Sequence, residues 1–275
     1  INMQYLLYNA YAFNQDLNTS IATIGSGESS TTHLAWDTQR VSTFRRTLRG
    51  AGIFNKPIYK WDTSNNSSLE LTFAYASDFN QDVSSSLQTH LITGQPYIAW
   101  DVEKVTTFTQ TFISAGSFNK SIQNWNTVSG SSFSTMFQTN GGYNQSLARQ
   151  NVTINGKSWT SWDVSNSTSG STTENHGANL LNMFNSTSTY DGAGLSTWNI
   201  ESASFNDYFL RSSNNVSTAN YNDILSEWAS QNPTYSGSIN FGNAQYDGSV
   251  GSTPSASRSQ LETVNGWVIT DGGPV

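Results

Sequence analysis

Apolar residues recur along this chain at fixed distances from tryptophan. The markers are Trp36, Trp61, Trp100, Trp125, Trp162, Trp198 and Trp228, the first five followed by Asp or Asn. From Trp36 to Phe54, Trp61 to Phe79, Trp100 to Phe118 and Trp125 to Tyr143 the step is 18 residues each time. Inside it the apolar positions repeat as well. Val41, Phe44, Leu48, Ala51 and Phe54 in one copy match Val105, Phe108, Phe112, Ala115 and Phe118 in another. Steps of 3, 4, 3 and 3 are the spacing of one helical face, so each stretch is predicted to be a short helix with one buried side. The links from Phe54 to Trp61 and from Phe118 to Trp125 are only seven residues long and contain Ile58 and Ile122. They are too short for a second helix and predict an extended turn or short strand.

Longer links follow Phe13, Phe79 and Tyr143, at every second copy, so two turns make one unit of 62 to 66 residues. The inserts resemble one another around Ile24, Ile92 and Ile154, which are expected to pack down. Asn155-Gly156 supplies the positive φ angles of a tight hairpin turn, so hairpins are expected on one flank. Met3, Leu7 and Ala10 precede Phe13 at repeat spacing, and the chain therefore begins inside a repeat. The period weakens after Trp162, where about ten extra residues run from Ser165 to Gly177. Helices are predicted over 223–228, ending before Pro233, and over 255–264, with a strand at 266–270. The expectation is an α/β repeat solenoid of about six turns over residues 1–220 and a C-terminal capping region over 221–275.

Charged residues are 11% of the chain, so solubility rests on neutral polar groups, while 13% aromatic residues supply surface to bury. A net charge of −7 with 12 Lys and Arg leaves no basic stripe, which argues against nucleic acid as a partner. No run of 18 apolar residues is present, and Ile1-Asn2-Met3-Gln4 lacks the features of a secretory leader, so membrane insertion is not expected and the chain reads as processed or cut from something longer. Cysteine is absent, which excludes disulfides and thiolate chemistry.

The Asn after each aromatic is read as a ladder bonding successive turns, and the Asp after each Trp as a turn or capping residue, since a repeated position is a poor candidate for catalysis. No cofactor is expected. Calcium between Asp16, Asp82 and neighbouring carbonyls is the one metal arrangement the pattern allows. His33, His90 and His176 match no metal spacing, and neither a nucleophile elbow nor a phosphate loop occurs. The non-repeated carboxylates Glu28, Glu70, Glu174 and Glu201 are scattered. Tyr97, Gln95, Lys157 and Trp159 lie on the inserts, outside the periodic core, and are the candidate contact residues.

The unit Trp100-Asp101-Val102 with Val105, Phe108, Phe112, Ala115 and Phe118-Asn119-Lys120-Ser121-Ile122 resembles the Mycoplasma-type surface lipoprotein repeat, related to BspA-like leucine-rich-repeat surface proteins. Phe13-Asn14-Gln15-Asp16-Leu17 and Phe79-Asn80-Gln81-Asp82-Val83 fit as well, and Asn66 and Gly130 depart from the unit. The resemblance covers about residues 3–228 and implies a leucine-rich-repeat-like solenoid on a cell or virion surface. The function expected is a non-enzymatic extracellular recognition or adhesion module, binding protein or glycan and able to self-associate. The alternatives are a virion structural protein and, third, a carbohydrate-active enzyme. The invariant 18-residue step predicts that Phe108, Phe112 and Phe118 are buried together. Phe112→Ala should then cost about 3–5 kcal/mol in urea unfolding; a cost near zero would show that the register is wrong.

Overall fold

The computed structural model describes residues 1–165, 178–212 and 215–275. Up to residue 212 the described chain piles up in tiers, each built on one Trp-to-aromatic stretch, and Phe108, Phe112 and Phe118 are fully buried. Within a tier the N–H groups of Thr47, Arg49 and Ala51 donate to the carbonyls three residues back, those of Phe44, Arg46 and Leu48. The alternate N–H groups leave the tier. Phe44, Arg46, Leu48 and Gly50 donate to the carbonyls of Ser68, Glu70, Thr72 and Ala74 at 2.8–3.3 Å. Leu69, Leu71, Phe73 and Tyr75 then donate to Thr107, Thr109, Thr111 and Ile113, and Phe108, Gln110, Phe112 and Ser114 to Ser132, Ser134, Met136 and Gln138.

This alternation requires a left-handed residue at every fourth position. Arg46 and Gly50, Leu71 and Tyr75, Gln110 and Ser114, Thr135 and Thr139, and Asn182 and Ser186 have φ between 54° and 75°. The helical reading of these stretches is therefore wrong, because an α-helix sends each N–H to the carbonyl four residues back. Successive turns bonded three residues back also bring every third or fourth side chain to one side, so the apolar spacing alone does not separate the two.

The leucine-rich-repeat-like α/β solenoid is overturned with it. Among the described residues the α-helices are α1 (Thr218–Ser230) and α2 (Thr253–Thr263), both near the C-terminus. The strands form four separate two-stranded sheets. Three are antiparallel hairpins: β1 (Ser20–Ile24) with β2 (Thr31–Ala35), β3 (Ser86–Thr89) with β4 (Pro96–Ala99), and β5 (Asn151–Ile154) with β6 (Lys157–Thr160). The fourth pairs β7 (Ser238–Asn240) with β8 (Val268–Thr270) in parallel. Among the described residues the tiers are joined by single parallel bridges, such as Ser68 with Thr107 and Thr107 with Ser132. The link from Phe54 to Trp61 holds no strand and closes in a turn, with the Trp61 N–H on the Ile58 carbonyl.

The tiers share one aromatic core. Phe13, Phe54, Phe79, Phe118, Tyr143 and Tyr190 form a column with ring centroids 5.9–6.1 Å apart, and Phe73, Phe112, Phe137 and Phe184 form a second at 5.3–5.7 Å. Each buried Trp donates its indole N–H to a carbonyl of the preceding tier: Trp61 to Leu17, Trp100 to Ile58, Trp125 to Val83, Trp162 to Ile122 and Trp198 to Leu147. The Asn ladder is present, with the Oδ1 atoms of Asn14, Asn55, Asn80 and Asn119 accepting from the backbone N–H groups of Asn55, Asn80, Asn119 and Asn144. The Asp after each Trp turns the chain, as where Asp101 accepts from the Glu103 N–H. Gly130 stands where two other tiers have Val41 and Val105, and a Cβ there would strike the Phe133 ring.

Near the C-terminus α1 packs on α2, and Trp228 on α1 continues the indole ladder by donating to the Leu195 carbonyl. Arg258 on α2 joins Glu262 and Asp271, and the Tyr221 hydroxyl donates to Asp271. The extra residues 166–177, with Glu174 and His176, lie outside the described residues.

A left-handed residue costs roughly 1–2 kcal/mol without glycine, and most when β-branched. Thr135 (φ 56°) is the test position, since its hydroxyl reaches only the carbonyl of its neighbour Ser134. Thr135→Gly relieves the strain and costs about 0.5–1 kcal/mol of backbone entropy, for a net gain of up to about 1.5 kcal/mol. Thr135→Val keeps the strain and should lower the urea midpoint. A midpoint lowered by glycine would contradict the left-handed assignment.

Candidate functional site on the hairpin flank

The first two hairpins are closed at the base by a hydroxyl. The Thr19 hydroxyl donates to the Trp36 carbonyl at 3.0 Å and the Ser85 hydroxyl to the Trp100 carbonyl at 2.8 Å. Trp36, Trp100 and Trp162, where the hairpins end, all turn through positive φ, which redirects the chain into the next tier. The second and third hairpins also lean on the tier before them at equivalent points. Tyr97, three residues before Trp100, donates its hydroxyl to the Lys60 carbonyl at 2.7 Å. Trp159, three residues before Trp162, donates its indole N–H to the Asn124 carbonyl at 2.9 Å.

The candidate contact residues thus separate into two kinds. Tyr97 and Trp159 are half-buried anchors, while Gln95 is exposed in the loop of the second hairpin. Lys157 is half-buried and reaches back to the preceding unit, with its Nζ 2.7 Å from Asp101 Oδ2 and 2.8 Å from Glu103 Oε2. Burial works against its charge, but the hydrogen bonds to Asp101 and Glu103 outweigh that and hold the ammonium pKa above its ordinary value.

The isoleucines expected to pack down do not all do so. Ile24 and Ile92 are 65% and 51% exposed, whereas Ile154 is half-buried. The reason is loop length. The third hairpin closes through Asn155-Gly156, both with positive φ, while the first two carry longer loops that lift their tips off the tiers.

A narrow cleft with a free volume of about 20 Å³ lies between the first and second hairpins. Leu34 from β2, Leu91 from the second loop, Asp37, Thr38, Asp62 and Tyr97 line it. Asp37 and Asp62 each use Oδ1 to accept a backbone N–H two residues on, and no cation among the described residues lies within ion-pair distance of either. Lys60 and His90 also line the cleft, but the Lys60 ammonium sits 5.8 Å from the Tyr59 ring centre, and His90 Nδ1 accepts from the N–H groups of Ile92 and Thr93. Thr38 is buried, and its hydroxyl has no partner.

Asp16 and Asp82 sit two tiers apart, each accepting a local backbone N–H, and with tiers about 6 Å apart they do not converge on one ion. Among the described residues no group of three His, Asp or Glu side chains could hold a metal.

Burial of the phenol, and after it the negative charge of Asp62 and Asp37, pushes the Tyr97 pKa up to about 12. Because the folded value lies above the ordinary one of about 10, this contribution to stability is complete below about pH 10 and lost as the pH rises toward 12. The difference between ultraviolet titrations of the native chain and Tyr97→Phe should show a single phenolate step near pH 12. A step at the ordinary value would mean that the hairpin does not dock.

The family profile described as "Mycoplasma protein of unknown function, DUF285" matches residues 25–95 and again 87–172, together more than half of the chain. No curated protein and no solved structure matches. The two matches start 62 residues apart, the length of one two-tier unit, and the first runs from the loop of the first hairpin to the loop of the second. By this repeated match the chain belongs to the Mycoplasma-derived DUF285 family of repeat proteins.

Proposed function

We propose that this chain is a non-enzymatic surface recognition module, displayed outside the cell or on a virion, whose hairpin flank contacts a protein or glycan. The observation that carries this reading is the distribution of apolar surface. The repeated aromatic and Trp positions from Phe44 to Trp198 are buried, while Ile21, Ile24, Leu87, Leu91 and Ile92 stand on the first two hairpins with 37–65% of their surface exposed. An apolar group left in water costs about 25 cal/mol per Å², and exposed clusters of this kind mark contact sites. Variation between units also falls on the inserts, which is where repeat proteins place their binding residues. The likeness of the Trp-Asp to Phe-Asn unit to BspA-like surface proteins points the same way. A net charge of −7 argues against nucleic acid, and among the described residues no helix is long and apolar enough to cross a membrane.

The test shortens residues 84–98 until Phe79 reaches Trp100 in seven residues, as Phe54 reaches Trp61. The shortened chain should still unfold in one cooperative transition, and the labelled protein should lose most of its attachment to intact cells and to glycan and protein arrays. Attachment at native strength would remove the hairpins from the contact.

A further inference from the structure

The cleft between the first two hairpins has a counterpart one unit along, and the counterpart is filled. There Lys157, five residues before Trp162, places its ammonium against Asp101 and Glu103, the first and third residues after Trp100. In the first unit the matching positions are Gln95, five residues before Trp100 and exposed outside the lining of the cleft, and Asp37 and Gln39 after Trp36, which line it. The lysine has become glutamine. The second carboxylate is not lost but moved: Gln39 replaces Glu103, while Asp62, in the next tier of the first unit, stands where the second unit has Asn126. Both clefts therefore face two carboxylates; in the second Lys157 pairs with both, whereas in the first Lys60 lines the wall with its ammonium over the Tyr59 ring and outside ion-pair distance of Asp37 and Asp62.

The residues around this position correspond between the two units. Tyr97 stands at the position of Trp159 and makes the matching hydrogen bond to the preceding tier. Leu34 and Leu91 add apolar surface suited to a methylene stem. Thr38, 2% exposed, replaces the buried Val102 of the second unit and brings a hydroxyl with no partner to the wall of the cleft. From this internal comparison we infer that the cleft between the first two hairpins binds a primary ammonium group on an alkyl stem, supplied from outside the chain. Its ammonium lies against Asp37 and Asp62, and its stem lies along Tyr97, Leu34 and Leu91. This deepens the recognition reading and rests on it for the identity of the working flank.

The probe is N-acetyl-lysine methylamide, titrated into the full chain by NMR at low salt, with the uncharged norleucine analogue as control. The lysine probe should bind with one equivalent, shifting the signals of Tyr97 and His90, and the norleucine probe should not. Asp37→Asn should weaken binding about tenfold or more, as loss of a charge-assisted bond implies. Gln95→Lys should fill the cleft from within and abolish binding, while Lys157→Gln should open the second cleft and raise the stoichiometry from one to two. Tighter binding of the capped lysine than of butylamine identifies a protein lysine as the occupant. Equal binding identifies a free amine, and the ammonium site stands in either case. No binding by the lysine probe, or binding unchanged in Asp37→Asn and Gln95→Lys, overturns the inference. The recognition reading fails separately, if the chain with the shortened hairpin attaches to its targets undiminished.

Discussion

Every tier must give away half of its backbone hydrogen bonds to its neighbour. The N–H groups of Phe44, Arg46, Leu48 and Gly50 have no acceptor inside their own tier and find one only in Ser68, Glu70, Thr72 and Ala74. Buried backbone groups are costly to leave unpaired, so a single tier has no stable form alone. The left-handed residue at every fourth position makes this exchange geometrically possible. Its cost of roughly 1–2 kcal/mol is about what the two hydrogen bonds it enables return. The surplus comes from the side chains. Stacked Phe, Tyr and Trp rings contribute about 1.5–3 kcal/mol each by burial, and the indole N–H bonds fix the distance between tiers.

The same constraint shapes the functional flank. Since the backbone of a tier is committed on both sides, the three hairpins lie in the links, one at every second link. Each hairpin is then measured against the tier before it. The anchors Tyr97 and Trp159 fall at corresponding places, and so do the clefts between hairpins. Differences between units are thereby concentrated where they alter contact chemistry without disturbing the core. A lysine exchanged for a glutamine leaves the stack intact and changes whether a pair of carboxylates is already paired.

Much of this was legible in the chain. The Trp and Phe-Asn markers located the tiers, the invariant step identified the buried rings, and Asn-Gly announced the third hairpin. The Thr recurring eleven residues after Trp36, Trp61 and Trp100 was also there to be seen. Thr47, Thr72 and Thr111 are buried, and each donates both to its own tier and to the one before. The ion pair of Lys157 could not be read this way. It joins residues 54 and 56 positions apart, and only the docking of the third hairpin brings them within 3 Å.

By itself the sequence determined the period, the side chains to be buried and the places where chain is added, because those depend on spacing and polarity along one strand of polypeptide. Only the tertiary structure decided the backbone conformation of the tiers. A helix and a run of left-handed turns place the same apolar residues on one side, and the choice between them depends on where alternate N–H groups find acceptors. Those acceptors lie 24 to 46 residues away in another tier, and local preference carries no information about them.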